Sequence, residues 1–396
     1  MNTKKRILYY ELLKHLPKKE ALVITGMRQV GKTTVMKQIF DEISDRPRLW
    51  FDLDNPLDMK FFEDVDYENI FKRLKKQAEG AGKMVVFIDE IQNLPEITKV
   101  IKYIIDRHGI KFIVTGSSSY YLRNLFPESL AGRKFLFELT PLSFGEFLYF
   151  KNESKSIFEY KNLEEAIGNS SLFFHKKYEQ AYLEYIEFGG FPAVVLAPDN
   201  DSRRVILKNI FASFFEKDLR ILSDFKDIRE LRDIILLLAP RVGSLLDITK
   251  ISSELRVSRA KVYDYLEFLQ GVFLLRLLPK HSKSIDRSIA GGRKAYFTDS
   301  GLLNMLGQIS ESQLFENTLA NQLKSYASIC FYNKRNVSEI DFIADNAYSL
   351  EAKLRGADQD MKKLAKLSES LKIKKYFIVS KYYTEKEGFI TPTVFM

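Results

Sequence analysis

Apolar residues follow two rhythms along this chain. Short unbroken runs end near Val23 and Ile24, form "RLWF" at 48–51, and span Met84 to Ile88 and Phe112 to Val114. Runs of this length without alternation predict parallel strands covered on both faces. "VMKQIFDEI", behind the first run, has helical spacing, so residues 1–150 read as α/β with a parallel sheet. From 155 to 240 helical patterns follow one another with few strand signals. Asp247 predicts a cap for a short helix through Leu255, and Ser258 a cap for the next. Val262, Leu266 and Leu269 give that second helix an apolar stripe at i, i+4 and i+7, and "GVFLLRLLPK" supplies strand material after it. No apolar run approaches the ~18 residues of a spanning helix; "IILLLA" at 234–239 is core-sized.

Alternation is cleanest in "SEIDFIADNAYSLEAKL", 338–354, which predicts two strands around Asp345 and Asn346. Ile340, Phe342 and Ala344 share one face, and Glu339 and Asp341 the other. In the second strand Tyr348, Leu350, Ala352 and Leu354 alternate with Glu351 and Lys353. A two-residue turn pairs Asp341 with Leu350 and mixes the faces. A three-residue turn, Asp345 to Ala347, gathers the apolar residues and sets Asp341 opposite Glu351 and Glu339 opposite Lys353. That register leaves two carboxylates ~5 Å apart at Cβ on a charged face, where their repulsion asks for a cation. Asp341 and Glu351 are therefore expected to share Mg²⁺ or Mn²⁺. Lys353 would stand beside the ion, and Glu316, from the helical "QLFENTLANQLKSY", would add or position a ligand.

The first apolar run leads into "GMRQVGKTT", a G-x-x-x-x-G-K-[ST] loop between a strand and a helix. Glycines at 26 and 31 let backbone N–H groups turn toward phosphate oxygens, with the helix N-terminus behind them. The expected nucleotide cradle is Gly26, Met27, Arg28, Gln29, Val30, Gly31, Lys32, Thr33 and Thr34. Lys32 would reach the β and γ phosphates, and the Thr33 hydroxyl would bind Mg²⁺. Asp89, ending "MVVFID", would hold the Mg²⁺ shell, and Glu90 would polarise the attacking water. Ser117 in "VTGSSS", or Thr115 as the alternative, would touch the γ-phosphate or the water. Asp52 closes the "RLWF" strand. Arg133 is the expected arginine finger toward a neighbouring subunit's nucleotide, with Arg28 and Arg123 as competitors.

These motifs, with "LAGR" and "LTPLSFGEFL" after them, resemble the ATPase domain of a prokaryotic AAA+ family. The likeness runs on through "FGGFPAVV", "FFEKDL", the two capped helices and "AYFTDSGLL". The resemblance implies an AAA+ core at 1–150, a helical lid at 151–240, a winged-helix-like domain at 241–283 and a restriction-endonuclease-like α/β domain at 284–396. Arg259 and Lys261 stand near the start of the second helix, where a recognition helix meets DNA; such modules also serve as protein–protein spacers. The Asp341…Glu351-x-Lys353 pattern resembles the PD-(D/E)xK nuclease core, with Ile340 where that pattern has proline. A metal-dependent nuclease site and a degenerate fold used for binding are both open on these residues.

Charge adds one point. The chain has 61 basic and 52 acidic residues, net +9. From Ile248 onward there are 23 basic and 16 acidic residues, +7, which leaves +2 for the rest. The excess sits where a polyanion partner is expected. A lone cysteine, Cys330, and a basic N-terminus interrupted by Glu11, Lys14 and His15 predict a cytoplasmic protein without a membrane partner. The function read from sequence is ATP binding and hydrolysis with Mg²⁺, in a homo-oligomer that presents its C-terminal domains to DNA. The alternatives are an ATP-driven protein-interaction switch and an ATP-dependent nuclease acting against foreign DNA.

Overall fold

Val23, Ile24, Val86 and Ile113 have no exposed surface, and this is why their strands read as unbroken apolar runs. They form the inside of a five-stranded parallel sheet ordered β2-β3-β4-β1-β5. Its strands are β1 (Ala21–Thr25), β2 (Arg48–Asp52), β3 (Val85–Asp89), β4 (Lys111–Gly116) and β5 (Lys134–Glu138). The computed structural model describes residues 4–79, 83–117, 132–157, 160–215, 225–282, 284, 291–334 and 338–396. Helices α1 (Ile7–His15), α2 (Lys32–Glu42), α3 (Pro56–Phe62), α4 (Tyr67–Gln77) and α5 (Ile97–His108) accompany the sheet. Ile70 and Leu74 of α4 and Ile101 and Ile104 of α5 pack with Val23, Val86, Ile88 and Phe112 in one core. Because every pairing is parallel, the carboxyl ends of β1, β3 and β4 open on the same edge. Among the described residues, no helix is long and apolar enough to cross a membrane.

The chain divides into two units, Met1–Thr140 with Gly271–Phe273, and Pro141–Gln270 with Leu274–Met396. The helix α6 (Phe144–Phe150), grouped with the first domain by sequence, therefore lies in the second unit. Among the described residues 151–240 are helical, without strands: α7 (Leu163–Gly168), α8 (Leu172–Phe188), α9 (Pro192–Val195), α10 (Asn200–Ser213) and α11 (Phe225–Leu238). Most of "FFEKDL" lies outside the described residues. The two capped helices form as expected, α12 (Ile248–Leu255) and α13 (Arg259–Gly271). Asp247 accepts from Lys250 N at 2.9 Å and Ser258 from Lys261 N at 3.2 Å. Val262, Leu266 and Leu269 are all buried. β6 (Leu275–Pro279) follows, but its partner is β7 (Arg293–Phe297), across the 283/284 boundary drawn from sequence. Pairing across so long a connection has no local signature.

The C-terminal sheet is ordered β12-β11-β10-β9-β8. Its strands are β8 (Ile329–Lys334), β9 (Ser338–Ala344), β10 (Tyr348–Lys353), β11 (Lys375–Ser380) and β12 (Phe389–Ile390). The β9–β10 hairpin has the register that the apolar pattern selected, with Ala344 opposite Tyr348 and Phe342 opposite Leu350. Asp345 and Asn346 take positive φ in the turn, at 48° and 55°. Helices α14 (Ser300–Met305), α15 (Glu311–Lys324) and α16 (Asp358–Ser370) complete the unit.

"FGGFP" and "FTDSGLL" turn out to be partners. Asp299 caps α14 through Leu302 N (3.0 Å) and accepts from Gly190 N (2.8 Å). Gly189, at φ +75°, leaves room for that carboxylate, since a Cβ there would stand 2.2 Å from Asp299 Oδ1. Gly190 O in turn accepts from Leu142 N (2.7 Å), which brings "LTPLSF" to the same joint. Burial lifts the Asp299 carboxyl to about 6, against the pull of its backbone donors.

A folded-state value above the unfolded one means the folded chain holds its proton longer as pH rises. Stability from Asp299 is therefore full below about pH 4 and declines until about pH 6, by on the order of 3 kcal/mol. Denaturant unfolding at pH 4 and pH 7 is expected to show a decline larger by on the order of 3 kcal/mol in the natural chain than in Asp299→Asn. Parallel pH profiles for the two proteins would refute it.

Candidate functional site

β1 ends where the backbone must bend. Gly26 sits at φ +146°, and a Cβ on it would lie 2.1 Å from the carbonyl oxygen of Leu139. Leu139 N donates to Thr25 O at 2.7 Å, so the chain after β5 is clamped against the start of the loop. Gln29 (φ +63°) and Gly31 (φ +101°) carry the turn into α2, which begins at Lys32. Its first N–H groups lack intrahelical acceptors, the ordinary condition for anion binding. Met27 and Val30 are buried and anchor the loop, Arg28 and Thr33 are half-buried, and Gln29 and Thr34 are exposed. The Lys32 ammonium is buried and donates to Gly26 O and Met27 O, both at 2.9 Å, so it stands over the loop.

Arg6 is a part of this site that sequence reasoning missed. Only 5% exposed, it donates to Val30 O (3.1 Å) and Thr140 O (3.0 Å), bracing the loop. In "NTKKRILYY" it looks like one more surface cation.

Asp89 is buried at the end of β3, where its carboxylate accepts from the hydroxyls of Thr115 and Thr33. Burial raises its pKa, the two hydroxyls oppose the rise, and Glu90 and Asp52 add to it. Asp52 is opposite Asp89 in the β2–β3 register. A hydroxyl and a carboxylate already in contact fit the shell of a nucleotide-bound Mg²⁺, which Thr33 and Asp89 would hold. Glu90 follows at φ +54° and is half-buried. Gln92 holds its carboxylate and also donates to Ser117 Oγ (3.1 Å), while accepting from Ser117 N (3.3 Å). Thr115 additionally accepts from Glu90 N at 3.2 Å. Ser117, Thr115, Asp89 and Glu90 are thus brought together by one small network, with Gln92 as its unforeseen member.

Arg133 is elsewhere. It immediately precedes β5, whose Lys134 pairs with Ala21 at the opposite end of β1 from the loop. Five strand residues put that end roughly 16 Å from the loop, beyond an arginine's reach. Its guanidinium is paired with Asp106 of α5. Arg123 lies outside the described residues.

In the second unit Asp341 and Glu351 do face one another, and Glu316 joins them from α15. The face is not watery, however: side-chain exposure is 14% for Asp341 and 17% for both Glu351 and Glu316. Ala352 N donates to Asp341 Oδ2 (3.0 Å), and Lys353 pairs with Glu351 Oε1 (2.9 Å). Glu339 is held by Asn333 (3.0 Å) and by Lys294 of β7, not by Lys353. Burial, then the Asp341 charge, raises the pKa of both Glu316 and Glu351. Burial alone would lower the Lys294 ammonium, but Asp341, Glu316 and Glu339 outweigh it and leave it raised. On α13, Arg259 is exposed, whereas Lys261 is tied to Asp227 and Glu230 of α11, each at 2.6 Å.

Residues 18–148 match the family described as an AAA domain, and residues 179–313 a domain of unknown function (DUF8612). An uncharacterized protein of Methanocaldococcus jannaschii is 29% identical over 335 residues, 81% of this chain and 71% of that one. Another, of Haemophilus influenzae, is 28% identical over 341 residues, 82% of this chain and 79% of that one. Among solved structures, the Walker-type ATPase of Pyrococcus abyssi aligns with TM-score 0.43 and 14% identity, over 77% of this chain and 98% of its own. The Orc1 protein of Aeropyrum pernix, solved in complex with DNA, aligns with TM-score 0.31 and 12% identity, over 75% and 90%. The family match and the loop–Asp89–Glu90 geometry agree on an AAA-type P-loop domain within residues 18–148.

Gly26→Ala tests the clamp. The new methyl group meets backbone, not a movable side chain, so nucleotide affinity should fall about tenfold or more and stability by about 1–3 kcal/mol. Titration calorimetry and thermal melting check both; ordinary binding by the variant would mean the Leu139 contact is not rigid.

Proposed function

We propose that this protein binds and hydrolyses ATP with Mg²⁺, works as a homo-oligomer and delivers its C-terminal domains to DNA. The observation that carries the first part is the shared edge: Lys32, Thr33, Asp89, Glu90 and Ser117 issue from three adjacent strand ends. The backbone N–H groups of 26–34 and the Lys32 ammonium hold the phosphates. Thr33 and Asp89 hold the ion, which supplies charge neutralisation at the phosphates. Glu90, once Gln92 releases its carboxylate, orients a water and takes its proton. Ser117 and Thr115 sense the occupant through the same network.

The C-terminal carboxylates Asp341, Glu351 and Glu316, with Lys353, are read as a divalent-cation site in a nuclease-like domain, and α12–β7 as a winged helix. Net charge of +7 after Ile248 supports a polyanion partner. One observation favours a second reading, an ATP-driven protein-interaction switch. Lys261, expected to contact DNA, is instead occupied by Asp227 and Glu230.

Lys32→Ala should weaken ATP binding about tenfold or more, because the phosphates lose a charged donor. Glu90→Gln should keep binding and slow turnover by about a hundredfold or more. Binding by calorimetry and phosphate release separate the two effects, and normal turnover by Glu90→Gln would sink the assignment.

Arg133, too far from the loop of its own subunit, is proposed to act across a subunit boundary. Neither Arg133→Ala nor Glu90→Gln should hydrolyse ATP well alone, yet their mixture should partly recover. Some interfaces then join an intact finger to an intact water-orienting site. If mixed oligomers form and nothing is restored, Arg133 has a structural role with Asp106.

A further inference from the structure

The C-terminal carboxylates already surround a cation, and it belongs to the chain. Lys294 of β7 is 1% exposed; its ammonium is paired with Glu339 and lies 3.7 Å from Glu316 Oε1 and 3.8 Å from Asp341 Oδ1. Two residues along β7, Tyr296 donates its hydroxyl to Glu316 Oε1 at 2.7 Å. Glu316 comes from α15, and Glu339 and Asp341 from β9. One buried ammonium therefore joins three elements far apart in sequence. Gly243 lies against Glu316, and a Cβ there would come within 2.6 Å of Oε1.

Other oxygens of the cluster are engaged as well. Asn333 donates to Glu339 Oε2 (3.0 Å), Ala352 N to Asp341 Oδ2 (3.0 Å) and Asp341 N to Glu351 Oε2 (3.4 Å). Among the described residues, no group of three or more His, Cys, Asp or Glu is disposed to hold a metal ion. A divalent ion binds carboxylate oxygens at about 2.0–2.6 Å. To reach Glu316 and Asp341 together it would have to enter the space that the Lys294 ammonium fills, and the two cations repel.

We propose that Lys294 is a latch, its ammonium filling the space between Glu316 and Asp341 in the carboxylate site and shutting it to divalent metal until β7 withdraws. The latch rests on the reading of these carboxylates as a cation site. β7 is also the strand through which the α12–α13 segment reaches the site. Leu246 N donates to Arg293 O (2.8 Å) and Gly243 N to Ala295 O (3.3 Å), while β6, directly after α13, pairs along its length. An event on α12–α13 that shifts this ribbon moves Lys294 with it.

The test is titration of the full chain with MnCl₂ in the absence of nucleotide, by calorimetry, together with melting in EDTA and in Mn²⁺. The natural chain should show no Mn²⁺ binding that depends on Asp341, and the same melting temperature in both buffers. Lys294→Met leaves buried carboxylates without their counter-charge, so it should melt lower in EDTA and recover in Mn²⁺. It should bind Mn²⁺ at least about tenfold more tightly than the natural chain, and Lys294→Met/Asp341→Asn should lose that gain. If Lys294→Met does not fold, Lys294→Met/Glu339→Gln removes the lysine with the carboxylate it pairs with and takes the same titration. Binding by the natural chain as tight as by Lys294→Met, and lost in Asp341→Asn, overturns the latch and leaves the cation site standing. No Mn²⁺ binding by either lysine variant overturns the cation site and the latch with it.

Discussion

A charge taken out of water must be met by opposite charge or by oriented dipoles, at a penalty of several kcal/mol per ion otherwise. The main joints of this protein are places where that demand is satisfied. Asp89 is met by two hydroxyls at the nucleotide edge. Lys111 is met by the carbonyls of His15, Lys18 and Glu20 at and beyond the end of α1, and its burial still lowers it to about 8. Asp299 is met by the N–H groups of Gly190 and Leu302. Lys294 is met by three carboxylates. Each buried charge draws partners from other segments of the chain, so each ties the surrounding elements together.

The two units use their sheets differently. In the first, all-parallel pairing collects the loops of β1, β3 and β4 on one edge, and chemistry assembled there needs little more than correct strand order. Gln92 ties that edge together, since one side chain holds both Glu90 and Ser117. In the second, the β9–β10 hairpin forces Asp341 and Glu351 together by register alone. A neighbouring strand, β7, brings Lys294 against Asp341.

Two glycines are required by close approach and not by chemistry. Gly26 passes the Leu139 carbonyl and Gly189 the Asp299 carboxylate, both too closely for a Cβ. Neither contact is made by a side chain of the glycine, so neither leaves a trace in hydropathy or charge.

Sequence by itself determined the elements whose signal is local. Unbroken apolar runs foretold the inner strands, the G-x-x-x-x-G-K-T spacing placed the loop between β1 and α2, and Asp247 and Ser258 marked their helices. The β9–β10 register was legible too, because a shift of one residue would have turned every apolar side chain outward. Tertiary structure alone decided which charges met. Lys294, Lys261, Arg6 and Gln92 are ordinary polar letters in their own segments, and apart from Glu90 beside Gln92 their partners lie 22 to 134 positions away. The same holds for β6 and β7, and for the partnership of "FGGFP" with Asp299. A pattern of neighbours encodes which face of an element is buried. It does not encode what that face is buried against, because the cost of burying a charge depends on atoms contributed by the rest of the fold.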